Sequence, residues 1–344
     1  MTDPTGPRKS RLIDRGWTHD SSPFHSGEQA VQRRIGVREQ VERMGRNMIR
    51  EQLPDQHREL FEALPLIVVG SMDASGRLWA SLLSGPPGFV RSPTPKQLRI
   101  KAQPAVGDPL AAQLTVGSPL GVLGIQLETR RRNRANGHII TRDANSFTIE
   151  IDQSFGNCRQ YIQAREPTFE PSVLASAGPI RAEGAHLSER ASQLLARADT
   201  FFIATASAAA ASHNDGEGVD VSHRGGRPGF VRVSDDGSTG ATVLTVPDFR
   251  GNFIFNTFGN LEVNPRAGIV CADFATGDIL SLTGTARVIW DGPAVAAFEG
   301  ADRLLSFEVE SGVRLEHALP LRFEGLEFSP DLADTGTWAE TEQR

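Results

Sequence analysis

Lysine is almost missing from this chain. There are three, Lys9, Lys96 and Lys101, among 36 basic residues, and all the others are arginine. None of the three sits in a motif. A pyridoxal-phosphate Schiff base needs a lysine, so that chemistry is set aside. Any phosphate would have to be held by arginine forks and backbone N–H groups. Cysteine is scarce as well. Cys158 and Cys271 stand one in each half, which makes no disulfide framework, and their spacing does not suit zinc. Both read as packing thiols, and reduced thiols fit a cytoplasmic protein. No apolar run is long enough to span a bilayer, and no basic segment leads into an apolar one at the start. Neither a membrane span nor a signal peptide is therefore expected. No nucleotide-binding glycine fingerprint follows a predicted strand, which argues against a doubly wound sheet. The net charge of −6 argues against nucleic acid as a partner.

What the chain does have is a repeat. Trp79-Ala-Ser-Leu-Leu-Ser-Gly-Pro-Pro-Gly-Phe-Val-Arg91 is echoed by Asp220-Val-Ser-His-Arg-Gly-Gly-Arg-Pro-Gly-Phe-Val-Arg232. With Pro87 on Pro228, Ser81 falls on Ser222 and Gly85 on Gly226. Downstream, Ser118-Pro119 is set on Asn264-Pro265 and Gly137 on Gly284. A repeat of this length predicts two similar domains rather than a solenoid. The 34 glycines and 21 prolines suit turn-rich β structure. Many short strands without βαβ alternation predict a mainly β fold with minor α, one barrel in each half.

The expected organisation runs as follows. Residues 1–54 form an arm and an amphipathic helix, the helix spanning about Glu28 to Leu53 and ending at Pro54. A short helix after Asp55 opens the first barrel, 55–165. The proline-containing stretch 166–186 is the linker, and Ser188 caps a helix that opens the second barrel, 187–330. A short helix is expected over 291–302, and the tail 304–328 alternates as a closing strand pair would. Residues 331–344 are a tail.

The densest polar motif is Val246-Pro-Asp-Phe-Arg-Gly-Asn-Phe-Ile-Phe-Asn-Thr-Phe-Gly-Asn260. Arg250, Gly251, Asn252, Thr257 and Asn260 offer a guanidinium, amides, a hydroxyl and turn N–H groups. Such a set suits a phosphate; an Asn-rich loop satisfying its own backbone is the plainer reading. The first copy reads shorter there, has no arginine before the glycine, and is aligned with Asp108 in place of Asn252. A carboxylate repels phosphate, so the anion site is expected in the second copy alone. Ser222 and Arg224 share a strand face and Arg227 follows them. At least one of Arg130, Arg131, Arg132 and Arg134 is expected to reach across a pseudo-two-fold interface toward a ligand held by the second copy. The alternative is a solvated hairpin. His25 and Glu28 are too few for a metal site, and none is expected. His223 is the best candidate for an acid–base group. Trp79 and Trp290 read as core or interface.

The ordered set Asp220–Val231, Pro247–Asn252, Asn264–Ile269 and Leu282–Arg287 resembles the pyridoxamine 5′-phosphate oxidase-like flavoproteins. With Ser22-Pro-Phe-His-Ser-Gly-Glu28, Arg130–Gly137 and Gln153–Cys158 it is nearer to their tandem, two-barrel flavin-nucleotide-binding branch. The resemblance covers about residues 20–330. It implies tandem split barrels related by a pseudo-two-fold axis, and FMN between them. It also implies a two-electron oxidation or reduction of a small organic molecule, with a flavin or ferredoxin-type reductase as electron donor. It implies either a monomer with dimer-like packing of barrels or a homodimer. The pyridoxamine-phosphate substrate motif of the oxidases proper is absent. A deazaflavin in place of FMN, a non-catalytic flavin carrier or sensor, and a haem protein using His138 or His223 are the rival expectations.

Overall fold

The computed structural model describes residues 16–212 and 214–343. Three helices come first: α1 (Ser26–Arg34), α2 (Arg38–Met48) and α3 (Asp55–Ala63). The single helix expected over 28–53 is therefore two. Gly36, at φ 74°, turns the chain between them, because a left-handed residue cannot continue a right-handed helix.

The first barrel holds β1 (Leu66–Met72), β2 (Leu78–Ser84), β3 (Val90–Arg91), β4 (Gln97–Ile100), β5 (Pro119–Gln126), β6 (Arg131–Arg142) and β7 (Phe147–Asn157). The segment expected as a linker is structured instead: β8 (Ala164–Phe169) and β9 (Ile180–Glu183) lie in it. Ser188 does cap the next helix, α4 (Glu189–Arg197), by accepting the Ala191 N–H. The second barrel follows with β10 (Thr200–Ala206), β11 (Val219–Gly225), β12 (Arg232–Asp235), β13 (Thr242–Phe249), α5 (Asn256–Val263), β14 (Arg266–Ala272) and β15 (Ile279–Ile289). Next come α6 (Pro293–Ala297), β16 (Ala301–Leu315), β17 (Leu321–Glu327) and α7 (Trp338–Glu342). The strands β16 and β17 do not pair with each other as expected. The long β16 joins β13, β15 and β9, while β17 folds back on β8. Tail and linker thus close each other's free edges.

The two sheets have one strand order. It is β2-β1-β5-β6-β7-β4-β3 in the first and β11-β10-β14-β15-β16-β13-β12 in the second. The ladder registers agree residue by residue as far as Ile139, where β6 carries a further bulge before Thr141. Val69 pairs with Ser81 and Val122, and Ile203 pairs with Ser222 and Ile269. Both sheets carry a bulge at one place, between Asn136 and Gly137 and between Thr283 and Gly284. Arg91 and Arg232 also occupy matching ladder positions. The chain is two tandem split barrels.

Two details of the alignment change. Pro119 pairs with His138 and Arg266 with Thr285, so Pro119 matches Arg266 and not Pro265. Counting back from the matched Gly121 and Gly268, Asp108 falls on Phe255, and both cap the helical turn that follows. The connections leading there are nearly equal in length, 100 to 121 against 246 to 268. The shortfall of the first copy sits in its β3–β4 hairpin.

The barrels meet around a pseudo-two-fold axis. A Cβ on Gly121 would lie 2.5 Å from the Val219 carbonyl oxygen, and one on Gly268 would lie 2.3 Å from that of Leu78. Val219 and Leu78 are themselves matched positions, so the contact is isologous. One apolar cluster crosses the seam, with Val68, Ala80 and Leu123 from one barrel and Ala204, Val221 and Val270 from the other. Helix α1 joins the second barrel, since Val31 belongs to its core.

Candidate functional site

A cleft of about 940 Å³, open mouth included, runs along the seam. The first barrel contributes Arg132 and Arg134 from β6, and the turn 157–161 after β7. The second barrel contributes Ser222, His223 and Arg224 from β11, Pro247–Phe249 at the end of β13, and Arg303 from β16. The turn 251–255 and the first residues of α5, Asn256, Thr257 and Phe258, complete it.

The lining is cationic in an acidic protein: four arginines against one aspartate. The carboxylates are already committed. Asp248 pairs with Arg224 and lies 3.7 Å from Arg303 Nε. Burial raises the Asp248 carboxyl even with those two cations beside it. Asp220, behind the cleft, pairs with Arg134 and accepts from Asn136 and Asn260. Arg134 also donates to the Ser222 hydroxyl at 2.6 Å and to the Val221 carbonyl at 3.0 Å.

Arg132 differs from these. Its Nε donates to the Cys158 carbonyl, and no carboxylate among the described residues pairs with it. Burial pushes its guanidinium down to about 10, and Arg134 and Arg224 push the same way. A partly buried guanidinium facing two like charges costs free energy until an anion joins it. Further polar atoms stand buried and unpaired at the lining: Arg224 Nε, Arg303 Nη1, His223 Nε2 and Asn157 Nδ2. His223 lies edge-on to Phe202, with ring centroids 5.6 Å apart. Burial holds its imidazole well below the usual value, helped by Arg132 and Arg224. It is neutral at pH 7.

The sequence candidates divide between cleft and elsewhere. Ser222, His223, Arg224, Arg132, Arg134, Gly251, Asn252 and Thr257 come together in the cleft. Arg250 does not line it. It is exposed just past β13, its guanidinium is 5.6 Å from the Phe253 ring, and its carbonyl accepts the Tyr161 hydroxyl. Arg227 pairs with Glu340 of α7 at 2.6 Å, because the C-terminal helix folds back over it. Arg130 takes a left-handed conformation and donates to the Ile162 carbonyl and to Glu327. Arg131 is exposed at the start of β6. Asn260 is fully buried and ties Thr205 to Asp220. His138 faces Asp152 and Glu150 away from the cleft. His25 caps α1, its Nδ1 accepting the Gly27 N–H.

Arg303 and Asp248 were not foreseen. They face each other across the β13–β16 ladder, a pairing that no linear spacing announces.

No family model matches the sequence, and no curated protein matches it. Solved structures do. HupZ of Group A Streptococcus matches at 15% identity over 36% of this chain and 90% of its own, with a TM-score of 0.27. A pyridoxamine 5′-phosphate oxidase-like protein of Lactobacillus delbrueckii matches at 16% over 37% and 93%, TM-score 0.28. HutZ, the heme storage protein of Vibrio cholerae, matches at 14% over 34% and 86%, TM-score 0.22. Likenesses this distant carry no functional weight. The cleft itself sets four arginines and one aspartate between two split barrels, a lining whose chemistry suits an anion.

Proposed function

We propose that the chain is an FMN-binding flavoprotein and an oxidoreductase acting on a small organic molecule. Arg132, a cation without a carboxylate partner between two other arginines, carries this reading. A phosphate supplies the charge that it lacks. Arginine forks suit phosphate oxygens, and lysine is not available here. Ser222, Asn256 and Thr257 add hydroxyl and amide donors, and α5 presents its start to the same cleft. Phe255 and Phe258 give an apolar wall. When bound, the flavin supplies two-electron transfer, and the protein sets binding, access and electrostatics. His223 is a neutral imidazole at the cleft whose Nε2 has no hydrogen-bond partner, which suits it to exchange a proton with substrate. Arginines around the ring would stabilise an anionic reduced flavin. A reductase as electron donor and a cytoplasmic setting belong to the same proposal.

A second reading rests on His223 alone. A neutral imidazole with an unpaired Nε2 at a cleft suits an axial ligand for haem iron.

The visible spectrum and ligand mass of native protein separate these readings. Flavin bands and the mass of FMN support the proposal, and a deazaflavin mass corrects the cofactor. A Soret band lost in His223→Ala establishes haem. Turnover with a reductant and oxygen distinguishes an enzyme from a flavin carrier.

A further inference from the structure

The wall of the cleft that leads into α5 is strained. Phe253 has φ 62° and Phe255 has φ 66°. Both are bulky residues in the left-handed region, which persists only where surroundings over-determine it. Phe255 caps α5 without any side-chain hydrogen bond. Within the turn, Asn252 Oδ1 accepts the Ile254 N–H at 3.2 Å, and that bond reaches neither Phe255 nor Asn256.

The turn is held by the N-terminal arm, more than two hundred residues away. Glu28 Oε1 accepts from Asn256 Nδ2 at 2.6 Å. Gln32 Nε2 donates to the Ile254 carbonyl at 3.1 Å. Glu28 and Gln32 are one turn apart on α1, so they share a face. Both are almost wholly buried, at 2% and 0% exposure. The helices cross closely enough that a Cβ on Gly27 would lie 2.0 Å from the Gly259 carbonyl oxygen. Burial and nearby Asp220 raise the Glu28 carboxyl well above the usual range.

We propose that Glu28 and Gln32 of α1 are positioning residues for the ligand cleft: together they clamp the strained turn Ile254–Asn256, so that arm docking and ligand binding stabilise each other. This inference rests on the FMN reading above. Coupling between two sites is reciprocal. What docks the arm must tighten the ligand, and the ligand must protect the arm by the same factor.

The test uses the full chain, flavin fluorescence titration, and hydrogen exchange of the α1 amides with and without saturating FMN. Glu28→Ala is expected to weaken FMN binding about tenfold. Glu28→Gln should stay within about twofold of the parent, because it keeps an acceptor for the His25 N–H and, with the Asn256 amide turned over, a partner for that amide. Gln32→Ala removes the Ile254 contact, together with the Arg38 Nη1 hydrogen bond to Gln32 Oε1, and serves if Glu28→Ala fails to fold; it should weaken binding several-fold. FMN should slow α1 exchange in the parent and lose that effect in Glu28→Ala. Unchanged affinity in folded Glu28→Ala and Gln32→Ala, or α1 exchange indifferent to FMN, overturns the clamp alone. No FMN binding by the parent overturns the functional reading and the clamp with it.

Discussion

The seam has two pseudo-equivalent places, and one of them is an arginine-lined cleft while the other is closed. Ladder registers match Arg132 with Ile279, Arg134 with Ser281, Asp220 with Trp79, His223 with Leu82 and Arg224 with Leu83. Ser222 and Ser81 are the same in both copies. One geometric contact is kept as well. Arg134 donates to the Val221 carbonyl, and Ser281 donates to the carbonyl of the matched Ala80, at 3.3 Å. Around these constants the chemistry diverges. Ser222 meets Arg134, whereas Ser81 donates to Asp108 at 2.6 Å. Leu82, Leu83 and Ile279 are buried at 4%, 1% and 1% exposure, so the second place is core. A repeat therefore fixes the scaffold, while a few side chains decide which of its two seams can take an anion.

The comparison can be broken most severely at Arg134. Its loss leaves Asp220 buried without its cation, so Arg134→Ala should destabilise by about 3–5 kcal/mol. The matched Ser281→Ala removes one neutral hydrogen bond and should cost about 1 kcal/mol. Denaturant melts of both variants check this, and equal losses would deny the asymmetry.

Next in size is Asp108. Burial raises its carboxyl to about 6, against the Ser81 and Leu110 hydrogen bonds that lower it. A carboxyl raised in the folded state binds its proton more tightly folded than unfolded. Its stabilisation is complete below the ordinary carboxylate value and disappears as pH rises through about 6. The span is about 3 kcal/mol at most. Asp108→Asn should flatten that window and be the more stable form at pH 7, with FMN affinity unchanged. Stability curves followed from about pH 4 to about pH 7 read this directly.

The axis itself predicts a smaller and equal pair of effects. Gly121→Ala and Gly268→Ala each drive a Cβ into backbone of the other barrel. Both should destabilise, by amounts within about 0.5 kcal/mol of each other. A large inequality would show that the seam is not isologous.

The scaffold was legible because its markers are local. Pro-Gly turns and the bulge glycines Gly137 and Gly284 recur at fixed places in the ladder. The linker was misread because β8 and β9 take their partners, β17 and β16, from far down the chain. The cleft was legible in part. Arg132, Arg134, Ser222 and Arg224 could be grouped by assuming two-fold packing of the repeat. Arg250 falls outside the cleft lining because β13 ends at Phe249 and the next residue faces solvent. Arg303 gave no signal, since only the β13–β16 register brings it to Asp248. Arg227 was lost to α7, whose docking through Trp338 onto the Phe230 and Thr245 carbonyls has no periodic signature.

The most direct test of the asymmetric seam is a calorimetric titration of FMN into the parent chain, Arg132→Ala and Ile279→Val. The parent should bind one FMN per chain. Arg132→Ala should lose a charge-assisted contact of about 1.5–3 kcal/mol, roughly ten- to a hundredfold in affinity. Ile279→Val, at the matched position, should bind as the parent does. Two FMN per chain, none, or equal losses in the two variants would contradict the account.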